Sequence, residues 1–435
     1  MDKLGKTLMF LLLGLLLVSS FSAPVHAEPV PIGSQEVDTR AILSGGSMAL
    51  DSNDNPCIAY GAYLTFKQRY GDVYSMLAKW NGSGWDIQTV DPKEARLSSI
   101  AIDKKDNPHI AYANATGLIY TSWSGHNWNT QIVDSANLNG SQGSRQVIVG
   151  INSLTLDAHG QPYICYFNSG EIKYATLANS EWQIQTIDVV NEPFPELSIA
   201  LDANESPSVL YTLPNSSHIT CSIKYAELTF FGWKIQTIAM DMPLLHSVSK
   251  LVLDSKGFPY VAYISEKYQN TGPNTIHLLG QNLNLLFWNG FYWQLQIIDS
   301  SQYGLNDSPP QFLLDSSDTP HICYYREPEI NRTGGLIYTT WNGSAWNTRM
   351  LIANLTAIEL GTLLLDSKGN LQVSYCLSTG YMYQPGGTLT FMKFKAPIPL
   401  REPLDSDLLE AIVLIVVGTV ILATYVYRRK TTAKF

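Results

Sequence analysis

The phrase Leu-Asp-x-x-x-x-Pro-x-Ile-x-Tyr returns along the whole chain, and it constrains the fold more than any other feature. Close copies stand at Leu50–Tyr60, Ile102–Tyr112, Leu156–Tyr166, Leu201–Tyr211, Leu253–Tyr263 and Leu314–Tyr324. A seventh, Leu365–Tyr375, has Leu371 where the others have proline. A period of roughly 45–60 residues is the length of one four-stranded propeller blade. In the second copy Ser99–Ile102 reads as a strand and Asp103–Pro108 as a turn whose aspartate accepts a backbone N–H. Ile110 and Tyr112 share one face of the next strand, Leu118 and Tyr120 mark a third, and Thr130–Asp134 a fourth after the indole-bracketed hairpin Trp123–Trp128. That hairpin recurs at Trp80–Trp85, Trp288–Trp293 and Trp341–Trp346, while Leu177 and Leu228 replace the first indole in copies three and four. Such a sheet is apolar on both faces and cannot bury both by itself. The sequence therefore predicts an all-β fold, a seven-bladed β-propeller.

Closure is legible as well. The seventh copy supplies strands at Leu363–Leu365, Leu371–Tyr375 and Thr388–Phe394, and then Pro397, Pro399 and Pro403 interrupt the chain. Gln35-Glu36-Val37-Asp38 matches Gln88-Thr89-Val90-Asp91, so the N-terminal segment is expected as the outer strand of the last blade. A ring closed this way has no open edge.

Residues 1–27 read as a signal peptide: Lys3 and Lys6, an apolar run from Leu8 to Val18, and small residues at Val25 and Ala27. The propeller ectodomain is expected over 28–396, followed by a Pro-containing stalk at 397–407. Residues 408–427 are twenty, with Glu410 the one charge, enough for a transmembrane helix of about 30 Å. Arg428, Arg429 and Lys430 head the basic tail 428–435 and predict a cytoplasmic C-terminus. The expected location is a single-pass cell membrane protein with its ectodomain outside.

Between 28 and 407 there are 22 basic and 35 acidic residues, a balance of −13. This acidic surface argues against nucleic acid and anionic lipid as partners. Cys57, Cys165 and Cys323 lie in the Pro-x-Ile-x-Tyr strands of non-neighbouring blades, too far apart for disulfides, and read as buried thiols. No cysteine or histidine spacing calls for a metal, and nothing calls for a cofactor. The repeated Asp51, Asp103, Asp157, Asp202, Asp254, Asp315 and Asp366 are one per blade, too dispersed to share a calcium ion, and read as turn caps. Glycan acceptor sequons stand at Asn81, Asn114, Asn139, Asn204, Asn215, Asn306, Asn331, Asn342 and Asn354.

Strands alternate in direction, so the Asp-to-Pro turns and the Trp hairpins share one face of the disc. The opposite face collects the variable connections: Gly61–Val73, Ser265–Asn284, Tyr325–Gly335, Leu377–Gly387 and the interblade Ser135–Asn152. Binding is expected on those loops. Their candidate ligand-binding residues are Arg40, Arg96, Arg145, Arg326 and Arg332, with Tyr63, Tyr268, Tyr381 and Glu327. Rings, guanidinium groups and carboxylates together suit an extracellular glycan or protein ligand.

The blade phrases Asp254-Ser255-Lys256-Gly257-Phe258-Pro259 and Trp341-Asn342-Gly343-Ser344-Ala345-Trp346 resemble the sialidase-like propeller repeats of prokaryotic cell-surface proteins. The resemblance covers nearly all of 34–395. There is a weaker similarity to tandem-repeat propeller lectins, which implies sugar sites between blades. The sialidase resemblance implies, as an alternative, an exo-acting glycoside hydrolase with an arginine triad drawn from Arg40, Arg96, Arg145 and Arg326. The Ser-x-Asp-x-Gly-x-x-Trp boxes and Phe-Arg-Ile-Pro opening of true sialidases are missing, and no nucleophile is assignable. The expectation is a surface binding or scaffold module.

Overall fold

The computed structural model describes residues 31–40, 46–63, 73–92, 95–135, 149–190, 195–214, 220–243, 248–272, 275–301, 305, 308–328, 333–355, 358–378 and 387–395. Signal, stalk and transmembrane expectations fall outside them; among the described residues no helix is long and apolar enough to cross a membrane. These residues form twenty-eight strands and no helix, in seven four-stranded antiparallel sheets.

The strand that opens the described chain, β1 (Pro31–Asp38), belongs to the last blade. Blade 1 is β2 (Ser47–Leu50), β3 (Pro56–Tyr63), β4 (Val73–Trp80) and β5 (Trp85–Asp91). Blade 2 is β6 (Ala95–Ile102), β7 (Pro108–Asn114), β8 (Gly117–Trp123) and β9 (Trp128–Ser135). Blade 3 is β10 (Val149–Leu156), β11 (Pro162–Asn168), β12 (Glu171–Ala178) and β13 (Glu181–Val189). Blade 4 is β14 (Leu197–Leu201), β15 (Pro207–Pro214), β16 (Thr220–Thr229) and β17 (Gly232–Pro243). Blade 5 is β18 (Val252–Leu253), β19 (Pro259–Gly272), β20 (Thr275–Trp288) and β21 (Trp293–Ser301). Blade 6 is β22 (Gln311–Leu314), β23 (Pro320–Arg326), β24 (Gly335–Trp341) and β25 (Trp346–Ala353). Blade 7 is β26 (Ile358–Leu365), β27 (Leu371–Ser378) and β28 (Gly387–Phe394), with β1 along its outer edge through Ser34↔Met392 and Glu36↔Thr390. Closure by the N-terminal strand is as the sequence predicts.

Alternation within a strand explains why the blades stack. In β7, Ile110 and Tyr112 pack towards blade 1, against Cys57, Ala59 and Leu77. The intervening Ala111 and Ala113 pack towards blade 3, against Ile164 and Tyr166. Seven apolar clusters result, one at each junction of neighbouring blades including 7 with 1. All five cysteines are buried and free, and burial pushes the Cys57 thiol up to about 12. They are apolar fillers.

Polar groups join the blades at three levels. Near the axis, a hydroxyl on or just before one inner strand accepts an N–H from the next blade: Ser99 from Leu154 at 3.1 Å, Ser198 from Leu251 at 2.9 Å, Ser308 from Leu360 at 2.8 Å, and Thr362 from Met48 at 3.1 Å. Further out, the tyrosine that ends the repeated phrase donates its hydroxyl to an aspartate on the outer strand of the preceding blade. The pairs are Tyr60–Asp38 at 2.6 Å, Tyr112–Asp91 and Tyr166–Asp134 at 2.9 Å, and Tyr211–Asp188 and Tyr324–Asp299 at 2.7 Å. A bulge just before each aspartate turns it towards its neighbour. In blades 4 and 6 the same register holds Ala239 and Ile352. Correspondingly, Tyr263 has no such acceptor among the described residues, and Tyr375 turns to the Met392 sulfur at 3.3 Å.

The third level lies on the short-turn face. Every repeated aspartate caps its own turn as expected; Asp103 Oδ1, for instance, accepts from Lys105 N at 2.8 Å and Asn107 N at 2.9 Å. The fourth turn residue has positive φ, and where it is aspartate it reaches back to the preceding blade. Asp106 accepts from Ser52 N and Oγ at 2.7 Å, Asp318 from Ser255 N at 2.8 Å, and Asp54 from Ser367 N at 2.9 Å across the ring closure.

One expected loop is a strand pair. Ser265–Asn284 belongs to a ribbon in which β19 and β20 stay paired from Tyr260↔Phe287 out to Gly272↔Thr275. Tyr268, Thr271, Thr275 and Ile276 favour extended backbone, which carries the hairpin past the blade edge.

The tyrosine latches carry a built-in control. Tyr211→Phe is expected to cost about 1.5–3 kcal/mol, the range for a hydrogen bond to a charged acceptor. Tyr263→Phe, with no aspartate to lose, is expected to stay within about 0.5 kcal/mol. Denaturant unfolding of the two variants checks the contrast, and equal losses would show that the latch contributes nothing.

Candidate functional site

The inner strands of all blades begin on the variable-loop face, and there they frame a cavity of about 200 Å³. Its walls come from four blades: Glu196, Leu197 and Ser198 in blade 4, Val248, Ser249 and Lys250 in blade 5, Pro309 and Gln311 in blade 6, and Leu360 and Gly361 in blade 7. Blades 4 and 7 are not neighbours, so one space touching both lies on the axis.

The polar groups at this mouth are mostly occupied. Ser198 Oγ accepts from Leu251, and Ser249 Oγ accepts from Ala262 N at 2.9 Å while donating to the Lys250 carbonyl at 3.0 Å. The Glu196 carboxylate accepts from Val248 N at 3.2 Å. Lys250 differs. Among the described residues nothing bonds or pairs with its ammonium. Its side chain is exposed to water at the mouth of the cavity. An exposed cation without a protein partner, at the rim of a cavity that four blades line, is open to an anionic ligand. Nearby Glu359, beside Leu360 on β26, is raised to about 7 by burial.

The sequence candidates fare unequally. Arg40 lies at the connection from blade 7 to blade 1, where Nε reaches Asp38 Oδ1 at 2.9 Å and Nη2 reaches Oδ2 at 2.7 Å. Burial raises the Asp38 pKa, but the hydrogen bonds from Arg40 and Tyr60 outweigh it and leave the carboxyl below its ordinary value. Arg326, expected on an exposed loop, is a correction: it ends β23 and is 6% exposed. Its Nη1 meets Asp299 at 3.2 Å and its Nη2 the Thr333 carbonyl at 3.2 Å. Both arginines therefore support interblade latches. Glu327, next along the chain, is half-buried. Arg145, Arg332 and Tyr381 lie outside the described residues, as do the side chains of Arg96, Tyr63 and Tyr268. An arginine triad would need at least three of these to meet at the axis, and Arg40 and Arg326 are already engaged.

Four sequon asparagines, Asn81, Asn204, Asn342 and Asn354, are exposed. Asn114 is a second correction: it is 5% exposed, its Nδ2 donates to Asp91 at 3.3 Å, and its Oδ1 accepts from Thr116. Asn139, Asn215, Asn306 and Asn331 lie outside the described residues.

A second concavity, of about 770 Å³, runs between blades 2 and 3 on the short-turn face. Trp128, Asn129, Gln131, His159, Gln161 and Asn179 line it. It exists because blade 3 has Leu177 for the first indole and a tight hairpin at Asn179-Ser180, both with positive φ. No sequence feature but that missing indole signals the groove.

Comparison with family models finds no match, and comparison with curated proteins finds none. Solved structures do overlap. An ulvan lyase of polysaccharide lyase family PL25, bound to -[GlcA(1-4)Rha3S]-, superposes with TM-score 0.53 at 9% identity over 83% of this chain and 95% of that one. A second structure of a PL25 ulvan lyase gives 0.51 at 9% identity, again over 83% and 95%. NanB in complex with Optactamide gives 0.42 at 11% identity over 87% of this chain and 72% of that one. The likeness is one of fold, and it agrees with the propeller resemblance read from the blade phrases.

Arg326→Ala is expected to destabilise by about 3–5 kcal/mol, as removal of one partner of a buried pair does. An exposed loop arginine would cost almost nothing, so thermal or denaturant melting decides. Glu359 gives a pH test. Its folded pKa lies above the unfolded value of 4.5, so its contribution is present below that pH and is lost as pH rises towards about 7. Glu359→Gln removes the titration and is expected to gain stability relative to the parent between pH 5 and 8. A difference that stays flat across that window would contradict the burial.

Proposed function

We propose that this chain is a membrane-anchored, cell-surface glycan-binding propeller whose axial pocket takes an acidic sugar. The observation that carries the reading is Lys250, a cation without a protein partner in a pocket built by four blades. A carboxylate entering there pairs with the ammonium through a charge-assisted hydrogen bond. Glu196 and Gln311 add polar contacts, and Leu197 and Leu360 offer apolar surface to a ring. About 200 Å³ is below the ~300–1,000 Å³ of pockets for drug-sized ligands. The pocket therefore suits one terminal sugar rather than an internal stretch of polysaccharide. Export and anchoring rest on the apolar segments of the sequence, and solved propellers of this fold include a polysaccharide lyase with a uronic-acid-containing ligand. A second reading uses the groove between blades 2 and 3, favoured by the Trp128 indole among amide side chains, a surface suited to neutral sugars.

A glycan array followed by calorimetry separates the two. Lys250→Met is expected to weaken an acidic glycan at least tenfold while leaving the melting temperature nearly unchanged, since the exposed ammonium bonds to no described residue. Loss of binding in Gln131→Ala with full retention in Lys250→Met would move the site to the groove.

A further inference from the structure

The short-turn face is uneven at one repeated position, the tip of the hairpin between third and fourth strands. Four tips are small or polar: Gly82-Ser83-Gly84 in blade 1, Gly125-His126-Asn127 in blade 2, Asn179-Ser180 in blade 3 and Gly343-Ser344 in blade 6. Two adjacent tips are aromatic: Phe230 and Phe231 in blade 4, and Phe291 and Tyr292 in blade 5. These rings are 97%, 95%, 87% and 60% exposed, and Phe230 and Phe231 meet edge to face. Packing within the blade does not explain them, because blade 3 makes a hairpin of blade 4's length, and blades 1, 2 and 6 one of blade 5's, without aromatic tips.

The chain leaves the propeller on this same face. Phe394, at the end of β28, pairs with both Leu371 and Pro31, and Leu371 directly follows the Asp366 turn. From there the sequence has an eleven-residue stalk, 397–407, before its apolar segment. Fully extended, such a stalk reaches at most about 40 Å. The exit is at blade 7. Blade 4 is three blades away, the greatest separation on a seven-bladed ring.

We propose that the aromatic tips of blades 4 and 5 insert into the interface of the bilayer that anchors the chain, so that the propeller lies with its short-turn face against the membrane. The inference rests on residues 408–427 spanning that membrane. Phenylalanine and tyrosine side chains partition to the headgroup boundary. A tether at blade 7 and an apolar foothold at blades 4 and 5 hold the disc at opposite edges, which one stalk cannot do. The contact is apolar, so it does not depend on anionic lipid, in keeping with the acidic ectodomain. The axial pocket then opens away from the membrane.

The test uses the full chain in phosphatidylcholine vesicles. Phe231→Cys, Phe291→Cys and, on the opposite face, Ala115→Cys each carry an environment-sensitive fluorophore; the five native thiols are buried. Spin-labelled lipid is expected to quench positions 231 and 291 at least threefold more than 115. Adding Phe230→Ser and Phe231→Ser to the 291-labelled chain is expected to bring its quenching down to the level of 115. Equal quenching at all three positions, or unchanged quenching after the serine substitutions, overturns the proposal. Disulfide dimers of Phe231→Cys that form equally well in detergent identify a second copy as the occupant and also overturn it. Carbonate washing separates this from the premise: protein stripped from the vesicles refutes the anchor, whereas carbonate-resistant protein with unquenched tips refutes only the foothold.

Discussion

A four-stranded blade that is apolar on both faces has no stable existence alone, and the rest of the structure follows from that. Each of the seven junctions buries a cluster of some seven to eleven side chains. At about 1.5–3 kcal/mol per large apolar side chain, burial of a whole cluster outweighs any polar contact at the same junction, where one hydrogen bond adds about 0.5–3 kcal/mol. Apolar packing therefore holds the ring together. The hydroxyl, tyrosine and turn contacts set how far each blade is rotated against the next, because they act at three distances from the axis. Two junctions manage without the tyrosine–aspartate pair, as Ala239 and Ile352 show, so the pair refines a geometry that packing already imposes.

The architecture was legible because its determinants are local and repeated. The Asp-to-Pro turn needs only residues within its own hairpin, and each aspartate does cap as its spacing implies. Closure was legible because Gln35–Asp38 copies an outer strand that the last blade lacks. What was not legible depends on neighbours 20–50 residues away. Arg326 looked like a loop arginine because a variable connection follows it, but its partner Asp299 is on the preceding blade. Asn114 satisfies a sequon and is nonetheless drawn inward by Asp91, again one blade back. The aspartate closing each outer strand was visible as a recurrent letter. Its role appears only when the bulge turns it towards the next tyrosine.

Lys250 was passed over for a related reason. It belongs to no repeated phrase, sits in the irregular stretch before the short strand β18, and is one lysine among many. Its meaning comes from position: it borders the axial cavity, and the adjacent hydroxyl and carboxylate are turned to backbone groups. Of the arginines that suggested a carboxylate site, Arg40 and Arg326 serve latches instead, and the cation at the axial cavity is a lysine. A lysine offers a point charge rather than a bidentate fork, so it constrains the orientation of a bound carboxylate less than an arginine would. Selectivity at such a pocket then falls to its shape and to the loops around it.

The hairpin tips complete a division of labour between the faces. Short uniform turns leave little surface for recognition, but they make one face nearly flat, and a flat face carrying apolar rings at one edge is suited to a plane. The connections on the other face are free to differ because no turn geometry restrains them, and there the inner strands open onto the axis. If the chain is anchored as proposed, a propeller held at one edge alone samples many tilts, in some of which the pocket faces its own membrane. Fixing a second edge removes those tilts, raising the fraction of molecules whose pocket meets ligand from outside without altering the pocket itself.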